Sequence, residues 1–241
     1  MRIHFLPGDS LVETFEKAGI GGEMGVCREC LVDGEASAGD LDEFWQIRES
    51  YLKAAYPKPE GFYREKVRAE FEKLLNLPAG AEVNLWFEYE LFCQVNLWFC
   101  LWLLSGRNVE VYRVAPVIKN REEIWKGFGV LDQEDLKKSF DRRIKFGPGD
   151  IRLGADLWRA FCSGDREGLE TLGANESECF PHLEEVCRAA VELKDRPRNA
   201  LRKIMAAGER EFGPVFRVFN QTEGIYGFGD LQVKRIYEEL L

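Results

Sequence analysis

The apolar run over residues 83–104 constrains this chain more than any other stretch. Glu88, Glu90, Gln94 and Asn96 interrupt it, leaving only residues 97–104 free of polar side chains. That falls far short of the ~20 residues a membrane-crossing helix needs. It is also longer than a single strand, which usually spans about 5–6 residues. The run therefore reads as a strand at residues 82–87, a polar turn, and a core helix over Leu91–Leu104.

The rest of the first half repeats this alternation. Residues 3–6 form a short apolar run stopped by Pro7-Gly8. Asp9 or Ser10 is placed to cap a helix over residues 11–18, and Glu13 has the spacing of a capping box with Ser10. Glycines at 19, 21 and 22 end it, and residues 25–27 begin a second strand. Helical periodicity returns over residues 41–56 (Phe44, Ile47, Tyr51) and 63–75 (Val67, Phe71, Leu74), with Pro57 and Pro59 between. Gly106 closes the 91–104 helix, and Val109–Val114 alternates as a fourth strand should. Strands alternating with helices predict an open, mostly parallel, Rossmann-like α/β sheet of about four strands. Its loops gather at the carboxyl edge, where ligands bind in sheets of this kind.

Residues 119–241 read as a mainly helical second domain after an α/β domain over residues 1–118. Its clearer helices fall at 134–140 and 155–162. Residues 190–241 read as three short helices at 198–207, 213–220 and 230–241, separated by Gly208 and by a glycine-spaced turn. Asp230 is placed as the last helix's N-cap. Such an end is similar to a helix-turn-helix or winged-helix unit.

Net charge is −9, divided as −6 over residues 1–120 and −3 over 121–241. Neither half carries the basic excess that a phosphate backbone or an anionic membrane attracts. Seven cysteines, an odd number scattered through the chain, argue for reduced thiols rather than a disulfide scaffold. The opening residues read as a strand rather than a signal peptide. The expectation is a cytoplasmic protein.

Three stretches carry a resemblance: Gly8-Asp9-Ser10, residues 27–34 (Cys-Arg-Glu-Cys-Leu-Val-Asp-Gly), and residues 85–94 (Leu-Trp-Phe-Glu-Tyr-Glu-Leu-Phe-Cys-Gln). The chain resembles the bacterial proteins grouped as domain-of-unknown-function family 1835 over about its first 115 residues, and residues 227–232 resemble the tail of longer members. The family pattern usually has Trp at Cys27, Asp at Glu29, often Asp at Glu90, and Pro at Glu35. The resemblance implies the α/β fold and carries no activity with it.

If the sheet is parallel, three polar sets meet at one cleft. Asp9 and Ser10 follow strand one; Arg28, Glu29 and Asp33 follow strand two; Glu88, Glu90 and Gln94 follow strand three. Arg48, in mid-helix, is a partner for one of these carboxylates. Converging carboxylates raise one another's pKa and serve as acid and base or hold a divalent cation. Glu90 also suits an N-cap for the helix at Leu91. The expected ligand is small, polar and nucleotide-like, with hydrolysis or group transfer as the chemistry.

Other motifs carry less. Gly8-Asp9-Ser10-Leu11 is similar to the opening block of the GDSL-type serine hydrolases. A serine nucleophile needs an oriented histidine base, and the chain has only His4, inside a strand, and His182. Amides at the first helix start suit a phosphate or carboxylate, which Asp9 would repel. Cys27 and Cys30 form a lone C-x-x-C without the second pair that a structural zinc site wants. Arg196, Arg198, Arg202 and Lys203 are the one basic run, diluted by neighbouring acids. They support the alternative of a regulatory protein whose C-terminal helices contact nucleic acid or another protein. The aromatics Trp86, Phe87, Phe92, Trp98, Phe99 and Trp102 read as core.

Overall fold

A computed structural model describes residues 1–37, 39–56 and 58–241. Four parallel strands form the sheet: β1 (Arg2–Leu6), β2 (Glu23–Val26), β3 (Ala81–Trp86) and β4 (Val109–Val114). A two-residue strand, β5 (Ile144–Lys145), adds antiparallel to the β4 edge. The order is β2-β1-β3-β4-β5. Pairing sets Phe5 beside Gly25 on one side and Leu85 on the other.

Alternation along each strand sorts the side chains onto two faces. Ile3, Phe5, Val83, Leu85 and Val111 enter the larger core. Leu6, Trp86 and Val114 enter a smaller one, covered by α1 (Val12–Ala18) and α5 (Gln133–Asp141). Three helices cover the larger face: α2 (Leu41–Ala55), α3 (Ala69–Leu75) and α4 (Leu91–Leu104). A π-helical turn at Tyr63–Arg68 leads into α3. Pro59 precedes that turn, while Pro57 lies outside the described residues.

The α4 helix is buried on nearly every side, as its all-round apolar sequence requires. The sheet covers one side and α6 (Pro148–Ser163) the other, where Gly154 lets Leu101 approach closely. Five helices complete the chain: α7 (Arg166–Gly173), α8 (Leu183–Val191), α9 (Arg196–Ala206), α10 (Phe212–Thr222) and α11 (Asp230–Glu238). Their apolar faces join the larger core, so Phe99, Trp158, Leu201 and Val233 belong to one cluster. The two halves therefore share an interior across the 118/119 boundary. No described helix is long and apolar enough to cross a membrane.

Several expectations need correction. Side-chain capping of α1 does not occur; Asp9–Leu11 is a 3-10 turn that continues into the helix. The N-cap of α11 is Gly229, with Asp230 inside the helix. Helices α7 and α8 are amphipathic but lie outside the stretches that the sequence marks as the clearer helices. Among the described residues no strand follows β5, so the C-terminal end has three helices and a 3-10 turn but no β-wing. Of the aromatic set, Trp86 faces the smaller core, while Phe92 and Trp102 are partly exposed.

Candidate functional site at the carboxyl edge of the sheet

Strand β1 lies between β2 and β3. The chain turns one way after β1 to reach β2, and β3 lies on the other side. Loops that diverge in this way leave a crevice beyond the strand ends. Here the crevice is a cleft of about 740 Å³, a size that takes a small molecule. Asp9, Ser10, Arg28, Glu29, Glu88 and Glu90 all line it, as the sequence predicts.

Asp9 and Arg28 face each other as a fork. Arg28 Nε donates to Asp9 at 2.9 Å and Nη2 donates to Asp9 Oδ1 at 2.7 Å. Its Nη1 donates to the Lys66 carbonyl at 2.9 Å. This pair joins the loops after β1 and β2 at the rim. Ser10 is exposed on the cleft wall. Among the described residues no catalytic triad forms around it. His4 Nε2 meets the Gly21 carbonyl at 3.2 Å, and Trp86 Nε1 donates to His4 Nδ1 at 3.1 Å. Burial pushes His4 down to about 4, so it is neutral at physiological pH. His182 sits edge-on between the rings of Tyr89 and Trp125.

Glu29 turns its carboxylate away from the cleft. It is fully buried and accepts from Arg48 Nη2 at 2.8 Å, Tyr63 Oη at 2.7 Å and the Cys30 amide at 2.9 Å. Arg48 spends its other donors on the carbonyls of Cys30, Asp33 and Glu35. The ion pair thus clamps the loop after β2. The expected partnership of Arg48 with a carboxylate is present, but neither Arg48 nor Asp33 lines the cleft. Asp33 binds Arg235 of α11 and accepts from Tyr56 Oη at 2.6 Å. Gln94 is also spent internally: its Nε2 donates to the Glu88 carbonyl. These residues position loops; they do not face a ligand.

The chemistry concentrates on Glu88 and Glu90. Both follow β3, and Glu90 caps α4 by accepting from the Cys93 amide at 2.9 Å. Glu88 Oε1 accepts from the Phe128 amide at 2.6 Å. Ligating atoms of Glu88, Glu90 and Cys93 lie within 4.8 Å of one another. Burial, reinforced by the Glu88 charge, pushes Glu90 up to about 8. Burial also raises Glu88, against the pull of the Phe128 amide. A helix N-terminus favours a carboxylate by about 0.3–2 kcal/mol. Each pKa unit is worth about 1.4 kcal/mol, so desolvation and like charge outweigh the cap. Like charges this close resist ionising together, so the buried Glu90 carboxyl keeps its proton near neutral pH.

Two glycines complete the pair's surroundings. Gly127, with φ of 57°, lies against Glu88, and Gly227, with φ of 65°, lies against Glu90. A Cβ at either position would overlap the carboxyl group. Each glycine opens the same tripeptide, Gly-Phe-Gly, at 127–129 and 227–229. That repeated tripeptide is the signal by which sequence reading alone could have found both. Arg113 of β4 is buried nearby; its Nη2 donates to the Glu88 carbonyl at 3.3 Å. Its Nε and Nη1 have no hydrogen-bond partner among the described residues. Burial pulls Arg113 down to about 10, so it remains a cation. Sequence reading also misses Cys93, Lys58 and Lys126 as part of this site.

The remaining motifs resolve differently. All seven cysteines are free, and burial raises both Cys27 and Cys30 well above the ordinary thiol range. Among the described residues, Glu88, Glu90 and Cys93 are the only three-residue grouping with metal-ligand spacing. One oxygen of each carboxyl already accepts from a backbone amide, and burial and the two acids hold the Cys93 thiol protonated. The donor set therefore suits a proton better than a divalent cation. In the basic run, Arg196 pairs with Glu192 and Glu223, and Arg198 with Glu239. Arg202 donates to Asn199, while Lys203 is exposed. Comparisons with protein-family models, with curated proteins and with solved structures find no match for this chain.

Proposed function

We propose that this chain binds a small polar ligand in the cleft at the carboxyl edge of a Rossmann-like sheet, with Glu88 and Glu90 as the polar anchor. The observation that carries the reading is the carboxyl pair, Glu90 buried and Glu88 half-buried, at the point where the strand order reverses. Capping α4 needs only one oxygen of Glu90, and an Asn or Ser would cap it without a second acid beside it. Fold stability gives no reason to set a second carboxyl against the buried one. With Glu90 holding its proton, the pair donates one hydrogen bond and accepts others, which suits a ligand bearing hydroxyl or amino groups. General acid–base catalysis of hydrolysis or group transfer on that ligand is the enzymatic form of the proposal.

We also propose that the first half belongs with domain-of-unknown-function family 1835, on the three stretches quoted above. The competing proposal, C-terminal helices contacting nucleic acid, is weakened by the ion pairs of Arg196 and Arg198. A thermal-shift panel of nucleosides, nucleotides, amines and divalent cations, run on wild type and Glu90→Gln, tests the site. A compound that stabilises only the wild type supports the cleft. Identical responses from the two proteins across the whole panel would overturn it.

A further inference from the structure

A second cavity of about 420 Å³ adjoins the cleft. The two share Arg28, Cys30, Lys58 and Phe62 as walls. The segment containing the second Gly-Phe-Gly tripeptide walls both, with Gly227 on the cleft side and Gly229 on the cavity side. The two spaces differ in chemistry. The cleft holds the carboxyl pair; the cavity exposes mainly apolar surface, with Leu52, Tyr56, Phe62 and Leu231 on its walls beside the charged Glu49, Lys53 and Asp230. Leu231 is 61% exposed at the start of α11, on the cavity wall. An exposed leucine beside a half-open, mainly apolar space marks a place where an apolar group docks.

We infer that the ligand is an amine with an aromatic or similarly sized apolar body. Its protonated amino group sits on Glu88 and Glu90, and its body enters the cavity beside Phe62. The inference rests on the cleft reading above and adds the ligand's class. The anchor selects the head. Of the cations on the cleft wall, Arg28 is paired with Asp9 and Lys126 with Glu123, leaving Lys58 at the mouth, while Arg113 is buried behind the Glu88 carbonyl. At the anchor itself the acceptors of the carboxyl pair match an ammonium, which has three N–H donors and no acceptor. The walls select the body, because Tyr56, Phe62 and Tyr63 offer ring surface to an apolar group of ring size. Binding a cation ionises both carboxyls, so the Glu90 proton leaves to solvent as the ammonium docks.

Isothermal titration in buffers of different ionisation enthalpy reads affinity and proton release together. The probes are 2-phenylethylamine, which has head and body, and ethylamine, which has the head alone. The proteins are wild type, Glu90→Gln, Leu52→Trp to fill the cavity, and Leu231→Arg as an exposed substitution that spares the interior. The wild type is expected to bind 2-phenylethylamine at least tenfold tighter than ethylamine, releasing up to one proton at pH 7. Leu52→Trp and Leu231→Arg should each reduce that preference without changing ethylamine binding, and Glu90→Gln should abolish proton release. Equal affinity for the two amines, or a preference that survives both cavity substitutions, overturns the inference and leaves the cleft reading standing. Binding of 2-phenylethylamine that is unchanged in Glu90→Gln, or no binding of either amine, also overturns it. The thermal-shift panel then decides separately whether the cleft binds anything.

Discussion

Gly227 lies against the carboxyl group of Glu90 with no room for a side chain between them. The contact spans most of the chain: Glu90 starts α4 behind the central strand, and Gly227 precedes the last helix. The C-terminal segment therefore closes over a group that the first half supplies. Gly127 stands in the same relation to Glu88.

Gly227→Ala should destabilise the protein through two separable effects. A left-handed backbone costs a non-glycine residue about 1–2 kcal/mol, and the overlap with Glu90 adds about 1–3 kcal/mol. In a Glu90→Ala background only the backbone cost should remain. Denaturant unfolding of the two single variants and the double variant checks this, with a coupling near zero as the contrary result.

The raised pKa of Glu90 makes stability depend on pH with a definite sign. The folded protein holds a proton that the unfolded chain releases at ordinary glutamate pH, near 4. This contribution is fully present below that value and is lost as pH rises through about 8. Glu90→Gln mimics the protonated form. It should flatten the decline between pH 5 and 9 and be the more stable protein at pH 9, by on the order of 2–4 kcal/mol. Urea unfolding at several pH values gives the comparison.

Arg48→Ala should cost about 3–5 kcal/mol, because it leaves the Glu29 carboxylate buried without its cation. It also frees the carbonyls of Cys30, Asp33 and Glu35. Replacing both partners with apolar residues, Arg48→Met with Glu29→Leu, should cost less than the single change. Equilibrium unfolding measures both.

Arg113→Met should leave stability unchanged or raise it, since the guanidinium is buried with Nε and Nη1 unpartnered among the described residues. Loss of this cation should also push the Glu90 titration higher, because Glu90 is among the charges that act on Arg113. A melting temperature together with a carboxyl titration separates the two effects.

The parallel sheet is legible in the sequence because its signals are local. Pro7-Gly8 ends β1, the polar break at Glu88–Glu90 separates β3 from α4, and Gly106 ends α4. Strand β5 escapes notice because two residues have no periodicity; it exists only through pairing with Tyr112 and Arg113. Half of the candidate site is equally legible: residues just beyond parallel strands must share an edge, which brings Asp9, Arg28, Glu88 and Glu90 together. What those groups do there is not local. Glu29 follows β2 as expected, yet Arg48 and Tyr63, from distant segments, turn its carboxylate inward. Asp33 is claimed by Arg235, 202 residues later. Ionisation of the pair likewise depends on burial by residues near 127 and 227, which nothing near Glu90 announces.

Carbon-13 NMR titration of the glutamate side-chain carboxyls reads the proton on the pair directly. The account predicts one carboxyl titrating near pH 8 in the wild type, absent from Glu90→Gln, with a coupled change at Glu88. If every glutamate of the folded protein titrates below about pH 5, Glu88 and Glu90 are both charged at neutral pH and the proton on Glu90 does not exist.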